Sequence, residues 1–358
     1  MSHFQDGAIP TEYSSYVGRK MLFLLFLLLA AALLLILGVS AGAVRIPAWD
    51  VVLTLIGQAQ SAKFETIIFN IRLPHALAAC LAGAGLAAAG AAMQSILRNP
   101  LGSPFTLGIS QAGAFGAAFA VMILGSGVLQ SAQSAEAVTI VSPYLTTGMA
   151  FFFCVLTSLI IIAISRIRGA TPEVMVLSGV ALGSLFNAGT MFLQYFAEDT
   201  ELAAMVFWTF GDVSRAGWSE VWIMAVVVVF FSVFFLLNRW DYNAIDAGEE
   251  TAKGLGVSVE RVRLVGMLAA SVLTATIVSF LGIIGFVGLI CPHIVRRVIG
   301  DDHRFLLPAS CLTGGVLLLA SDIAAKLMIA PHVLPVSVLT AFLGAPAFLY
   351  LLLRRQIG

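Results

Sequence analysis

Apolar residues run through this chain in long unbroken stretches, without the two-residue alternation of a strand that has one wet face. A helix needs about 20 mostly apolar residues to cross the hydrocarbon layer. Ten such runs occur, at 21–40, 66–95, 106–124, 143–165, 174–196, 219–238, 262–281, 284–299, 306–328 and 336–353. Their continuous apolar character predicts helices rather than a barrel. The eighth run is short and glycine-rich, and Gly282–Gly285 divides it from the seventh. The first follows a polar stretch, Met1–Lys20. It exceeds the roughly 7–15 residues of a signal-peptide core. Although Ala41-Gly42-Ala43 imitates a cleavage site, an uncleaved first helix is expected. The fold expected is therefore all-α and integral to the membrane, with about ten spans. It comprises a tail over 1–20 and one transmembrane domain over 21–358, interrupted by a polar segment over 238–263.

Composition points the same way. Of 358 residues, 60% are hydrophobic and 11% charged, and the mean hydropathy is +1.00. Too few polar residues remain to cover a water-soluble surface, so lipid is the expected solvent. Net charge is zero, so bulk electrostatics argue neither for nor against nucleic acid, and none is expected as a partner.

The basic residues set the orientation. With both termini in the cytoplasm, only Arg45, Lys63, Arg72, Arg215 and Lys326 fall outside, 5 of the 19 Lys and Arg, against 14 inside. Dropping one helix would invert every later loop and spoil this asymmetry.

Candidate chemistry is sparse. Cys80, Cys154, Cys291 and Cys311 are scattered through apolar runs with no CxxC spacing, which fits small buried hydrophobes rather than a zinc site or disulfide framework. His75, His293, His303 and His332 have no third ligand at fixed spacing, and interfacial hydrogen bonding is their expected role. No phosphate-binding loop is present, so any nucleotide hydrolysis belongs to another chain. Asp322 and Lys326 are one helical turn apart; they either pair with functional effect or Lys326 snorkels to the interface.

Three polar segments on the cytoplasmic side carry most information. Arg98-Asn99-Pro100-Leu101-Gly102-Ser103-Pro104 stops a helix and fixes a rigid turn; a plain connector would look alike. Asn238–Arg263 is the longest. Within it Glu249–Lys253 predicts a short helical turn that Gly254 and Gly256 can end. Such a helix suits a groove on a soluble partner, or it is a solvated loop that touches nothing. The third segment runs from Pro292-His293 to Asp301-Asp302-His303-Arg304.

Read in order, the residues after position 66 resemble the iron-chelate and cobalamin permeases of ABC importers, the FecCD family. The resemblance rests on Arg72-Leu73-Pro74, on Gly90 to Gln94 before Asn99-Pro100-Leu101, and on Leu107-Gly108-Ile109-Ser110 ahead of Gly113-Ala114. It continues through Leu177-Ser178-Gly179-Val180-Ala181-Leu182-Gly183, Trp208 with Gly211, and Gly248-Glu249 with Leu255-Gly256. Gly285-Phe286-Val287-Gly288-Leu289 then precedes Pro292-His293 and Arg296. The last block is Asp301, His303-Arg304, Leu307-Pro308, Asp322 and Gly344-Ala345-Pro346 before Phe348.

That resemblance implies a cobalamin-permease-like fold and a transport subunit that is not an enzyme. It implies a dimer with a second permease chain, identical or not, in the cell (inner) membrane. It also implies two ABC ATPase subunits that use ATP and Mg, while this chain binds no cofactor or metal. ATPase coupling falls on Gly248, Glu249, Ala252, Leu255 and Gly256. The cytoplasmic gate falls on Asn99, Pro100, Leu101, Thr171, Pro172 and Glu173. An extracytoplasmic substrate-binding protein docks at positions matching Arg72, His75 and Lys326, two of which replace the usual arginine. In Pro331-His332-Val333-Leu334-Pro335, valine stands where relatives usually place glutamate. The implied cargo is an iron(III)–siderophore, with cobalamin, haem or molybdate as alternatives. The rival classes are an ion-coupled secondary transporter and an intramembrane enzyme. No cluster of paired carboxylates lies inside the spans, as a proton-coupled carrier usually needs.

Overall fold

The structure, a computed structural model, describes residues 11–42, 44–126, 143–329 and 332–354. Residues 1–10 of the expected tail, Pro331 and Arg355 lie outside them. Among the described residues fifteen α-helices follow one another: α1 (Thr11–Ser40), α2 (Ala48–Leu55), α3 (Ala62–Ile67), α4 (Leu73–Ile96), α5 (Ile109–Met122), α6 (Pro143–Arg168), α7 (Pro172–Phe196), α8 (Asp199–Thr209), α9 (Trp218–Leu237), α10 (Arg239–Asp246), α11 (Glu249–Gly254), α12 (Val259–Leu281), α13 (Val287–Ile299), α14 (His303–Met328) and α15 (Val336–Arg354).

A helix stands at each of the ten predicted runs. Seven are long and apolar enough to cross a membrane, with α3 and α4 joined through a π-turn at Ile68–Arg72 into one 35-residue span. The apolar helices Ile109–Met122 and Val336–Tyr350 are shorter, and α13 has 13 residues. The break between α12 and α13 falls where the glycines placed it: Gly282 caps α12 with φ +83°, and Phe286 adopts φ +68° ahead of α13. Residues 11–20 of the expected tail are helical and continue into the apolar run as the first turns of α1, Gly18 included.

Burial sorts the spans into two shells. In α4 78% of the most apolar window is buried and in α12 72%, whereas α1 reaches 17%. α4 is the axis. Its small residues let neighbours approach to backbone contact: a Cβ on Gly83 would lie 2.1 Å from the Gly314 carbonyl oxygen on α14. A Cβ on Gly90 would strike the Gly288 backbone on α13. The outer helices α1, α6, α7 and α9 turn large apolar side chains such as Leu22, Phe152, Tyr195 and Phe230 outward, as a lipid-facing surface requires.

Candidate coupling site and gate

The basic residues gather at one end of the bundle, and there the polar segments meet. Asn238, its side chain bonded to the Phe234 carbonyl at 2.8 Å, turns the chain out of α9 into α10. Gly248, at φ +126°, redirects it into α11. Glu249 and Glu250 open that short helix and Lys253 closes it, charges that suit the helix dipole. Lys253 pairs with Glu249 at 3.2 Å and with Glu250 at 3.3 Å, both on an exposed face. Ala252 is fully buried and seats the helix, while Leu255 is 70% exposed. Gly256, at φ +84°, ends the tip with open space around its Cα. The tip thus presents one apolar side chain to whatever lies beyond.

Arg263 joins this tip to the bundle. Its guanidinium, on the buried face of α12, donates to Glu249 Oε2 at 2.8 Å. It also donates to the Ile96 carbonyl at the end of α4 and to the Ala170 carbonyl, each at 3.3 Å. Ala170 precedes Thr171, and Ile96 stands three residues before Asn99. One side chain therefore holds the predicted coupling helix against the roots of both predicted gate segments. The Arg263 hydrogen bond, outweighing a small desolvation, holds the Glu249 carboxyl below its ordinary value.

The gate residues are built as rigid turns. Arg98 takes φ +46°, Asn99 Oδ1 accepts from the Leu101 amide at 2.9 Å, and Asn99 and Leu101 stay exposed. Thr171 caps α7 by accepting from the Val174 amide at 3.4 Å, with Pro172 at the first helical position and Glu173 in the first turn. Thr171, Glu249, Lys253 and Arg263 line one cleft of about 630 Å³. Asn99 and Pro100 line another of about 840 Å³, together with Asp246, His293 and Arg296.

A second link fastens α10. Asp246 Oδ2 receives the Ser95 hydroxyl at 2.9 Å and Arg296 Nη1 at 3.3 Å, and sits 3.1 Å from His303 Nε2. Ser95 and His303 are fully buried, and Arg296 also reaches Asp301 and Ser95. Asn243 bonds the His303 amide. Burial alone would raise the Asp246 carboxyl; its hydrogen bonds to His303 and Ser95 and the charge of Arg296 outweigh that and hold it low. α4, α10, α13 and α14 are thereby tied at one point. Among the described residues no three His, Cys, Asp or Glu side chains gather as a metal site would need.

At the opposite end two of the expected docking residues are engaged within the chain. Arg72 is 7% exposed and its guanidinium is spent on the carbonyls of Val39, Ser40 and Val44, closing the end of α1. Lys326 bonds Asp322 at 2.6 Å, with side chains 12% and 5% exposed. Neither presents a free charge. His75 remains half-buried, within reach of the charges of Lys326 and Asp212. Val333 is exposed on the last connection.

Sequence reasoning named Arg263 only as a basic residue on the inner side. The signal was its place just inside a predicted span, where an arginine needs partners.

Seven helices long and apolar enough to cross a membrane, with polar turns tied to a short helix at one end, define an integral membrane protein. The chain belongs to the FecCD transport family, whose model matches residues 27–354. It is 53% identical over 346 residues to an ABC transporter permease protein of Methanocaldococcus jannaschii, covering 97% of this chain and 98% of that one. The Fe(3+)-citrate import permease of Bacillus subtilis is 36% identical, covering 93% and 95%. The cobalamin import permease of Halobacterium salinarum is 39% identical, covering 82% and 75%. Among solved structures, a metal-chelate type ABC transporter in an inward-facing conformation superposes with TM-score 0.78 at 28% identity, over 93% of this chain and 99% of that one. The chain is thus the permease subunit of an ABC importer of the metal-chelate and vitamin type. It sits in the cell membrane, acts with ATPase and permease partners, and is not an enzyme.

Proposed function

We propose that this permease imports an iron(III) chelate, by alternating access driven by two ATPase subunits that dock on α11. The observation that carries the transmission half is the Arg263 fork, which leaves α11 no way to shift without pulling on Ile96 and Ala170. Closure of the ATPase pair on bound ATP and Mg moves α11. Arg263 passes that motion to the Asn99–Leu101 and Thr171–Glu173 turns, and the cytoplasmic path opens. A second permease chain completes the path, and a binding protein delivers cargo at the opposite end. Because Arg72 and Lys326 are engaged internally, docking there falls to the surface around His75 and to complementary shape. The iron-chelate half is supported by the names of relatives such as the Fe(3+)-citrate permease. The cobalamin permease of Halobacterium salinarum favours the second reading.

The test is uptake of labelled ferric chelates and labelled cobalamin, in cells with and without this gene and with Leu255→Asp or Gly256→Trp. Selective loss of ferric-chelate uptake on deletion is expected, and loss of cobalamin uptake alone would overturn the iron assignment. Leu255 already points into solvent, so Leu255→Asp should leave the chain folded while ATPase association or coupling fails; Gly256→Trp meets no neighbouring atom but strains the φ +84° turn, so its uptake is read beside its melting temperature. Full uptake with Gly256→Trp would remove α11 from the transmission path.

A further inference from the structure

Lys20 is 3% exposed, and among the described residues no carboxylate forms an ion pair with it. Its ammonium donates to the Tyr16 hydroxyl at 2.5 Å. It also lies 4.0 Å from the Tyr16 ring centroid and 4.9 Å from that of Phe305. Rings and a phenol soften the desolvation of a cation but do not neutralise it, and a buried unpaired charge is costly. Beside it Arg19 is exposed and likewise forms no ion pair among the described residues. Both cations open on a groove of about 820 Å³ between α1 and the end of α13. The lining runs on into apolar, outward-facing side chains: on α1 Leu22 is 67% exposed and Phe26 63%, and across the groove on α13 Val298 is 58% exposed. The groove lies where the polar turns of α1 give way to its apolar run, at the basic end of the bundle. It therefore stands at the headgroup level of the leaflet on that side.

We propose that this groove is a binding site for an anionic phospholipid. The phosphate sits between Lys20 and Arg19 and supplies the counter-charge that the protein omits. An acyl chain lies along Leu22, Phe26 and Val298. A basic pocket between spans on the cytoplasmic side is the kind of place where anionic headgroups bind. Charge chooses the headgroup, and the continuous apolar wall chooses a lipid over a soluble anion. Bound there, the lipid would clamp α1 to α13, whose neighbouring Arg296 belongs to the Asp246 network.

The test is lipid retention by the full-length chain in neutral detergent, read by native mass spectrometry with phosphatidylglycerol and phosphatidylcholine of matched acyl chains. Two cations at the headgroup level should favour phosphatidylglycerol by at least about tenfold. Lys20→Gln with Arg19→Gln should abolish the preference. Arg19→Gln alone, on an exposed side chain, should weaken it by about fivefold with an unchanged melting temperature in lipid-free detergent, which separates lost binding from misfolding. Millimolar inorganic phosphate should not displace the lipid. Equal retention of the two lipids, or a preference that survives the double substitution, would overturn the proposal. Displacement by phosphate would assign the groove to a soluble anion and overturn it too.

Discussion

Arg263 and Glu249 lie 2.8 Å apart at the base of the bundle, one 4% exposed and the other 33% at the side chain. Their asymmetry is mechanical: Arg263 is anchored in α12 and Glu249 rides on the projecting α11. Arg263→Lys keeps the charge but gathers its donors on one nitrogen, which cannot span the acceptors that Nε, Nη1 and Nη2 reach separately. In proteoliposomes with the partner subunits, uptake per ATP hydrolysed should fall about tenfold while hydrolysis continues. Arg263→Met should cost about 2–4 kcal/mol of stability, since two carbonyls and a carboxylate lose a charged donor. Wild-type coupling in Arg263→Lys would show that the fork is only a brace.

Glu249 also sets a pH dependence. Glu249 is held below its ordinary value of 4.5 and Lys253 is raised above 10.5, the first by its bond to Arg263 and the second by its bond to Glu249. A depressed carboxyl contributes stability that is complete above its ordinary value and lost as pH falls through the folded-state value. Glu249→Gln should therefore lower the melting temperature by a constant amount from about pH 8 to about pH 6. The difference from wild type should close in acid. A gap that opened near neutrality would point to a different titrating group.

Asp322 and Lys326 form a buried ion pair near the opposite end. Removing one partner strands the other charge among apolar helices, so Asp322→Asn should cost about 3–5 kcal/mol. Asp322→Leu with Lys326→Met removes both charges and should cost much less, which a double-mutant cycle in chemical unfolding would detect. Additive losses would mean that the residues act separately.

Gly83 on α4 faces Gly314 on α14 so closely that neither tolerates a Cβ. Gly83→Ala should destabilise by about 3 kcal/mol or more, because the obstructing atoms are backbone that cannot rotate away. Gly254→Ala, with nothing within 4 Å of the new atom, should be neutral or slightly stabilising. Comparing the melting temperatures of the two variants tests whether the α4–α14 crossing sets the stability of the inner shell.

Much of this architecture was legible in the chain itself. Lipid as solvent, a helix at each apolar run, the break at Gly282 and the short helix at Glu249 all follow from local composition. A continuous apolar run has one low-energy state in hydrocarbon, and glycine with positive φ marks its own position. Which charges meet is not local. Arg72 read as an outward cation until folding brought the carbonyls of Val39, Ser40 and Val44 within reach, whereas the Asp322–Lys326 pairing was already open in its one-turn spacing. Arg263 read as one more inner-side cation until α12 packed beside Ile96 and Ala170. Ser95, Asp246, Arg296 and His303 are spread over more than 200 residues and converge only because the glycines of α4 let α13 and α14 approach. Spans and turns were determined by nearest-neighbour chemistry; the partners of Arg72, Arg263 and Asp246 were decided by helix packing, since desolvation punishes a charge until some distant part of the chain reaches it.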